Sequence, residues 1–195
     1  TSWVWMMFGL NEADENSRYD WAKWITPSRD LIAAFQEEND EVRMNASIIW
    51  GNPSWSIHYP SSHYPFMYKT RSNLNSVIKL RLADILLLKA EAYVETGKLN
   101  EAESLVNQVR NRAKLGDLSS SSTSSKEKLK EAILKERRLE LAFEGQRWFD
   151  LVRYEKAIST LNTLNQRDQG RIQMLPLTEE TILLPVPQEA IDKNP

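Results

Sequence analysis

No cysteine occurs among the 195 residues. Disulfides, thiolate metal sites and a cysteine nucleophile are therefore excluded, and the redox compartment is left open. Histidine is nearly absent. His58 and His63 are the 2 present, too few to complete a transition-metal site or most histidine-based catalytic arrangements. Neither sign of charge is in excess: 25 basic residues against 27 acidic ones give a formal net charge of −2. A general nucleic-acid binder carries a basic surplus, so no nucleic acid is expected as partner. Long apolar runs are lacking as well. The stretch from Trp3 to Leu10 is too short to span a membrane, and no basic segment precedes it as in a signal peptide. There is no phosphate-cradling glycine loop, nucleophile elbow or His-Glu-x-x-His pair. Asp14, Glu15 and Asp20 lack the spacing of an EF-hand. No metal, no cofactor and no catalytic residue is expected.

What the chain does have is tryptophan. Of its 7, Trp3, Trp5, Trp21, Trp24, Trp50 and Trp55 fall in the first 55 residues. A hydrophobic share of 41% with 27% charged residues is globular in character. The chain opens at Thr1 inside an apolar run, which reads as part of a longer protein with further segments upstream.

Two regions differ in pattern. Residues 1–76 read as strands and aromatic loops: a strand from Trp3 to Leu10, a short amphipathic helix from Ser28 to about Glu38, a strand over Ala46–Trp50, then a proline-broken aromatic loop or hairpin. Residues 77–195 read as a helical framework with an extended tail. Leu80–Glu95 is apolar nearly all round, as in a helix covered on both sides. Gly97 stops it, and Leu99, Ala102, Leu105, Val106, Val109 and Ala113 mark an amphipathic partner. Together they have the register of one tetratricopeptide helix pair, which cannot bury both of its faces alone. Ser119–Ser125 is a serine-rich linker, and Ser124 with Glu127 suggests a capping box for a helix running to about Phe143. Gly145 interrupts it, a further helix runs from Gln146 to about Ala157, and an irregular segment covers Asn162–Gln173. The prolines at 185 and 187 force an extended tail. The expected fold class is mainly α with minor β.

On the 125–143 helix, Glu136, Glu140, Glu144 and Arg147 fall on one stripe, with Arg137, Leu141, Glu144 and Trp148 on the next. Paired carboxylates at this spacing suit acid/base chemistry, as in a glycoside hydrolase. They equally suit an ion-pair network that pins the helix to its neighbours, for which arginine has the right fork of donors. An arginine lies within helical reach of every carboxylate here, which favours the network. Asp150 and Arg153 read the same way, and Trp148 reads as core.

Ile133-Leu134-Lys135-Glu136-Arg137-Arg138-Leu139-Glu140-Leu141-Ala142-Phe143-Glu144-Gly145-Gln146-Arg147-Trp148-Phe149-Asp150-Leu151-Val152-Arg153 resembles the signature of the SusD/RagB family. Two other segments agree and stand in the family's order. Upstream are Arg81-Leu82-Ala83-Asp84-Ile85 through Glu91-Ala92 and Asn107-Gln108-Val109-Arg110-Asn111-Arg112-Ala113; downstream are Leu184-Pro185-Val186-Pro187-Gln188-Glu189 and Asn194-Pro195. Pro27-Ser28, Phe35 and Asp40 to Arg43 fit more loosely, with Glu41 and Val42 spacing Asp40 from Arg43, and the order Tyr68-Lys69 is the reverse of the family's usual one. The resemblance runs from about Pro27 to Pro195. It implies a SusD-like fold: one tetratricopeptide-like helix pair, framework helices and an aromatic loop or hairpin region. It also implies a cell-surface nutrient-binding lipoprotein of the Bacteroidetes outer membrane, held to the membrane only by an N-terminal lipid anchor absent from this chain. Such a protein delivers a glycan, less often a peptide, to a SusC-like TonB-dependent transporter.

A sugar ring offers a face of C–H groups for aromatic stacking and a rim of hydroxyls for polar side chains. Trp21, Trp24, Trp50, Trp55, Tyr59 and Asn52 have those ingredients in segments that read as loops, and they are the expected ligand-binding residues. The same aromatics also suit core packing or a protein interface. A helical interaction scaffold without a small ligand is therefore the alternative reading, with a glycoside hydrolase as a weaker third.

Overall fold

The computed structural model describes residues 26–51, 64–69, 78–167, 175–183 and 186–193. The expected strand at Trp3–Leu10 and most of the aromatic loops lie outside those residues. The first two described helices begin where a side chain takes up a free amide. Ser28 caps α1 (Arg29–Glu37), its hydroxyl accepting from the Leu31 amide at 3.2 Å. Asp40 caps α2 (Glu41–Ser47), its carboxylate accepting from the Arg43 amide at 3.2 Å. α2 runs straight into β1 (Ile48–Gly51), which pairs antiparallel with β2 (Tyr64–Met67), Ile48 opposite Met67 and Trp50 opposite Pro65. The strand expected from Ala46 thus begins at Ile48, because Ala46 and Ser47 close a helix too short to show an apolar period.

α3 (Leu82–Glu95) and α4 (Leu99–Arg112) form a helix pair turned by Gly97, whose φ is 77°. The Lys98 amide reaches the Tyr93 carbonyl at 2.8 Å and the Gly97 amide reaches Val94 at 3.2 Å, a Schellman stop. The same pair of bonds ends α1 at Asn39 and α4 at Lys114, both with left-handed backbone. Ala83, Leu87, Ala90 and Val94 of α3 meet Ala102, Val106 and Val109 of α4, and Leu129 and Ile133 of α5 (Lys126–Glu140) complete this core. Fully buried alanines at 90 and 102 let the helices approach closely. α4 and α5 pack on one side of α3, and Leu82 and Ile85 remain 71% and 46% exposed.

Ser125, one residue beyond the expected Ser124, caps α5 by accepting from the Lys128 amide at 3.2 Å. Ser124 instead donates to the Ser121 carbonyl at 2.9 Å. α5 stops at Glu140, short of the expected Phe143, and Leu141–Gly145 is a turn with Phe143 at φ 66° and Gly145 at φ 80°. A second apolar cluster gathers Ile32, Ala34, Phe35, Ile48, Leu139 and Ala142, with Trp50 and Phe143 packed against it.

The contacts divide the chain into Thr1–Gly145 and Gln146–Pro195. In the second unit, the helix expected from Gln146 to about Ala157 ends early. α6 (Arg147–Arg153) ends in a Schellman stop at Glu155, φ 56°, and α7 runs Ala157–Arg167 through part of the segment expected to be irregular. Asn162 donates to the Leu177 carbonyl at 2.9 Å and accepts from its amide at 2.8 Å. A short α8 (Gln188–Asp192) follows Pro187, just past the proline stretch expected to be extended. Trp148, expected as core, is 38% exposed. Asp150 pairs with Arg153 at 2.8 Å, as expected.

Candidate functional site

The expected charged stripe is built on α5. Its amphipathic pattern runs Leu129, Ile133, Glu136, Glu140, so the last two core-facing positions are acidic. Both carboxylates are 2% exposed. An ionised carboxylate so placed is costly unless it is paired and hydrogen-bonded, and arginines supply the pairing. Arg43 Nη1 donates to Glu136 Oε1 at 2.6 Å and to Glu140 Oε2 at 3.2 Å, while its Nε pairs with Asp40. Arg110 reaches Glu136 at 3.2 Å, Glu38 at 2.9 Å and the Gly116 carbonyl at 2.9 Å. Glu140 also accepts from Arg81 at 2.6 Å and from Arg112 at 2.6 and 2.7 Å. Beyond the helix end, Glu144 holds Arg81 at 2.7 and 2.9 Å and pairs with Lys69. Arg147, placed by helical spacing on the same stripe, falls after the turn, in the second unit.

Lys69 and Arg81 also finish the helix. Lys69 Nζ donates to the carbonyls of Glu140 and Ala142 at 2.9 and 3.2 Å, and Arg81 Nη2 donates to Glu140 at 2.6 Å. Cations on the free carbonyls of a helix C-terminus satisfy acceptors that the ladder leaves open and complement the helix dipole. A separate buried pair, Arg137 with Asp84 at 2.8 Å, ties α5 to the first turn of α3.

Burial would raise Glu140 and Glu144, but the bonds and charges of Arg81 and Arg112, and of Arg81 and Lys69, more than reverse it, and both lie below the usual glutamate range. For Glu136 burial wins over Arg43 and Arg110, and its carboxyl is pushed up. A raised carboxyl is a requirement of the hydrolase reading. Glu136, however, is buried with both oxygens held by arginines, which leaves it no path to give a proton to a sugar. The stripe works as a framework hub.

Of the expected ligand-binding residues, Trp50 lies within the described residues. It sits in β1, half-buried, on the face it shares with Ile48 and against the second apolar cluster. Trp21, Trp24, Asn52, Trp55 and Tyr59 lie outside the described residues. Residues 52–63, which carry three of them, join the two strands of the ribbon. β2 is buried along its whole length, with the rings of Tyr64 and Phe66 5.0 Å apart. Sequence reasoning missed the convergence of Arg43, Lys69, Arg81, Arg110 and Arg112 on one helix end. The available signal was the acidic pair at core positions of an otherwise apolar stripe.

Comparison with known proteins places this architecture. The model of the SusD family matches residues 57–195. The chain belongs to the SusD family. Two SusD-like proteins of Formosa agariphila are similar to it. P38 is 44% identical over 103 residues, 50% of this chain and 20% of that protein; P2 is 39% identical over 89 residues, 43% and 18%. The chain thus spans about a fifth of these relatives. Among solved structures, a SusD superfamily protein of Bacteroides vulgatus superposes with a TM-score of 0.65 at 24% identity, covering 87% of this chain and 42% of that one. A laminarin-binding SusD-like protein gives 0.56 at 26% identity, covering 85% and 36%. The SusD fold, mainly helical with little strand, is the fold found here. Among the described residues no helix is long and apolar enough to cross a membrane.

Proposed function

We propose that the protein captures a glycan at the cell surface, without catalysis, and delivers it to a SusC-like TonB-dependent transporter. The observation that carries this reading is the SusD family match over residues 57–195, joined by likeness to a laminarin-binding member of the family. The geometry is in keeping with it. An aromatic ribbon is seated on a rigid, charge-paired framework, and the obvious carboxylates are committed to arginines. Trp21, Trp24, Trp50, Trp55 and Tyr59 would stack on sugar faces, and Asn52 would bond the hydroxyl rim. Binding is reversible, with loop aromatics supplying apolar contact and orientation. A lipid anchor upstream would hold the protein on the outer membrane.

Intrinsic tryptophan fluorescence, followed against a glycan panel that includes laminarin, tests the reading. A saturable shift is expected with one glycan class, with no degradation on long incubation. Trp55→Ala, Trp21→Ala and Trp24→Ala should each weaken binding about tenfold, roughly 1.4 kcal/mol. No response to any glycan would favour the interaction-scaffold reading. The exposed Leu80, Leu82 and Ile85 at the start of α3 are its support.

A further inference from the structure

We propose that Glu144 is a positioning residue that sets the β1–β2 ribbon, and Trp50 with it, on the framework by clasping Lys69 and Arg81 together. The inference rests on the glycan-capture reading, in which the ribbon carries part of the site. A ribbon of two four-residue strands does not hold its own orientation in water, so something outside it must. Ile48 and Trp50 supply one hold by packing on the second apolar cluster. The other is ionic. β2 ends at Met67, and Lys69 follows two residues later; Arg81 immediately precedes α3. These two cations are the ends of the connection between ribbon and helix, and both come to Glu144. Lys69 pairs with Oε1, and Arg81 donates from Nε to Oε2 at 2.7 Å and from Nη2 to Oε1 at 2.9 Å. Both also donate to the Glu140 carbonyl.

Glu144 reaches this position because α5 stops early. The turn needs Phe143 at φ 66°, a backbone that a bulky residue seldom adopts. Such strain persists where the surroundings over-determine it. Here the Phe143 side chain packs into the second cluster while the next residue closes the clasp. The clasp is also an accessible edge of the hub, as is Arg112 on Glu140. The side chains of Lys69 and Arg81 are 28% and 25% exposed and that of Glu144 is 9%, against 1% for Glu140. A change at Glu144 therefore loosens the edge and leaves the interior paired.

Amide hydrogen exchange on the full chain tests this. Glu144→Gln and Lys69→Met should speed exchange of the Ile48–Gly51 amides and those of Tyr64, Phe66 and Met67 at least tenfold, with the α3, α4 and α5 core amides unchanged. Lys69→Arg, which keeps the cation, should restore wild-type protection. Unchanged ribbon exchange in both Glu144→Gln and Lys69→Met overturns the proposal, as does acceleration spread evenly over the core. Laminarin titrations separate it from the reading beneath it. A wild type that does not bind laminarin counts against that glycan alone, since exchange is scored without ligand. A wild type that binds, beside a Glu144→Gln variant that binds equally well with a loosened ribbon, overturns the positioning role.

Discussion

The two ends of α5 stand in different interiors. At its start, Leu129 and Ile133 are fully buried among alanines, valines and leucines of α3 and α4. Two turns later, on the same face, Glu136 and Glu140 are almost as buried, among arginines from α2, α4 and the approach to α3. The apolar end draws its stability from area and fit, and neighbours can shift to absorb a small change. The charged end has no such latitude. Each carboxylate needs its own cations, and one lost partner strands a buried charge. One helix thus joins a tolerant core to an intolerant hub.

The largest effect is expected from Arg43→Met, which leaves Asp40, Glu136 and Glu140 short of a cation. It should cost about 3–5 kcal/mol, read as a lowered urea midpoint. Leu129→Ala should cost about 3 kcal/mol by emptying a packed site. If it proves the costlier of the two, the contrast between the ends is wrong. Acid sharpens the contrast further. Glu140 and Glu144 lie below their unfolded values, so the stability they supply is complete above about pH 4.3 and is lost as the pH falls through their folded values. Glu136, raised by burial, acts in the opposite sense, losing its share as the pH rises through its folded value. Thermal unfolding should therefore show the melting temperature dropping below about pH 4.3, less steeply in Glu144→Gln than in wild type. The smallest effect belongs to the cap at the apolar end: Ser125→Ala should cost about 1 kcal/mol by freeing the Lys128 amide.

Much of the helical fold was legible because apolar period and stop signals coincide. Leu99 to Arg112 shows both, and Gly97 announces the turn before it. Where a residue other than glycine takes the left-handed stop, the boundary was hidden. Glu155 ends α6 with the same bonds that Gly97 uses, yet nothing in its chemistry announces it, so α6 reads about four residues too long. Phe143 likewise concealed the early end of α5. Asp40 was a readable cap, but α2 is too short to show a period. The hub was half legible. Spacing placed Glu136 and Glu140 on one face, but which cations they meet depends on how distant segments return, and side-chain period carries no record of that. Of the ribbon, β1 was readable as a strand, while β2 fell in a stretch that reads as a proline-broken aromatic loop or hairpin. Trp50 packs against the second cluster, a contact that alternation along the strand does not record.

Glu140 gathers Arg112 from 28 residues away, Arg81 from 59 and Arg43 from 97. All three, with Lys69 and Arg110, precede the acidic stretch of α5 in the chain. On the ribosome the cations are made first, and Glu136, Glu140 and Glu144 leave the exit tunnel after them. The α3–α4 pair needs only neighbours in sequence and can form as it emerges, whereas the hub waits on long loop closures, which slow folding. The carboxylates thus arrive last into a field of waiting arginines, and the final docking of one short helix end completes a buried charge balance that none of the earlier segments could have held alone.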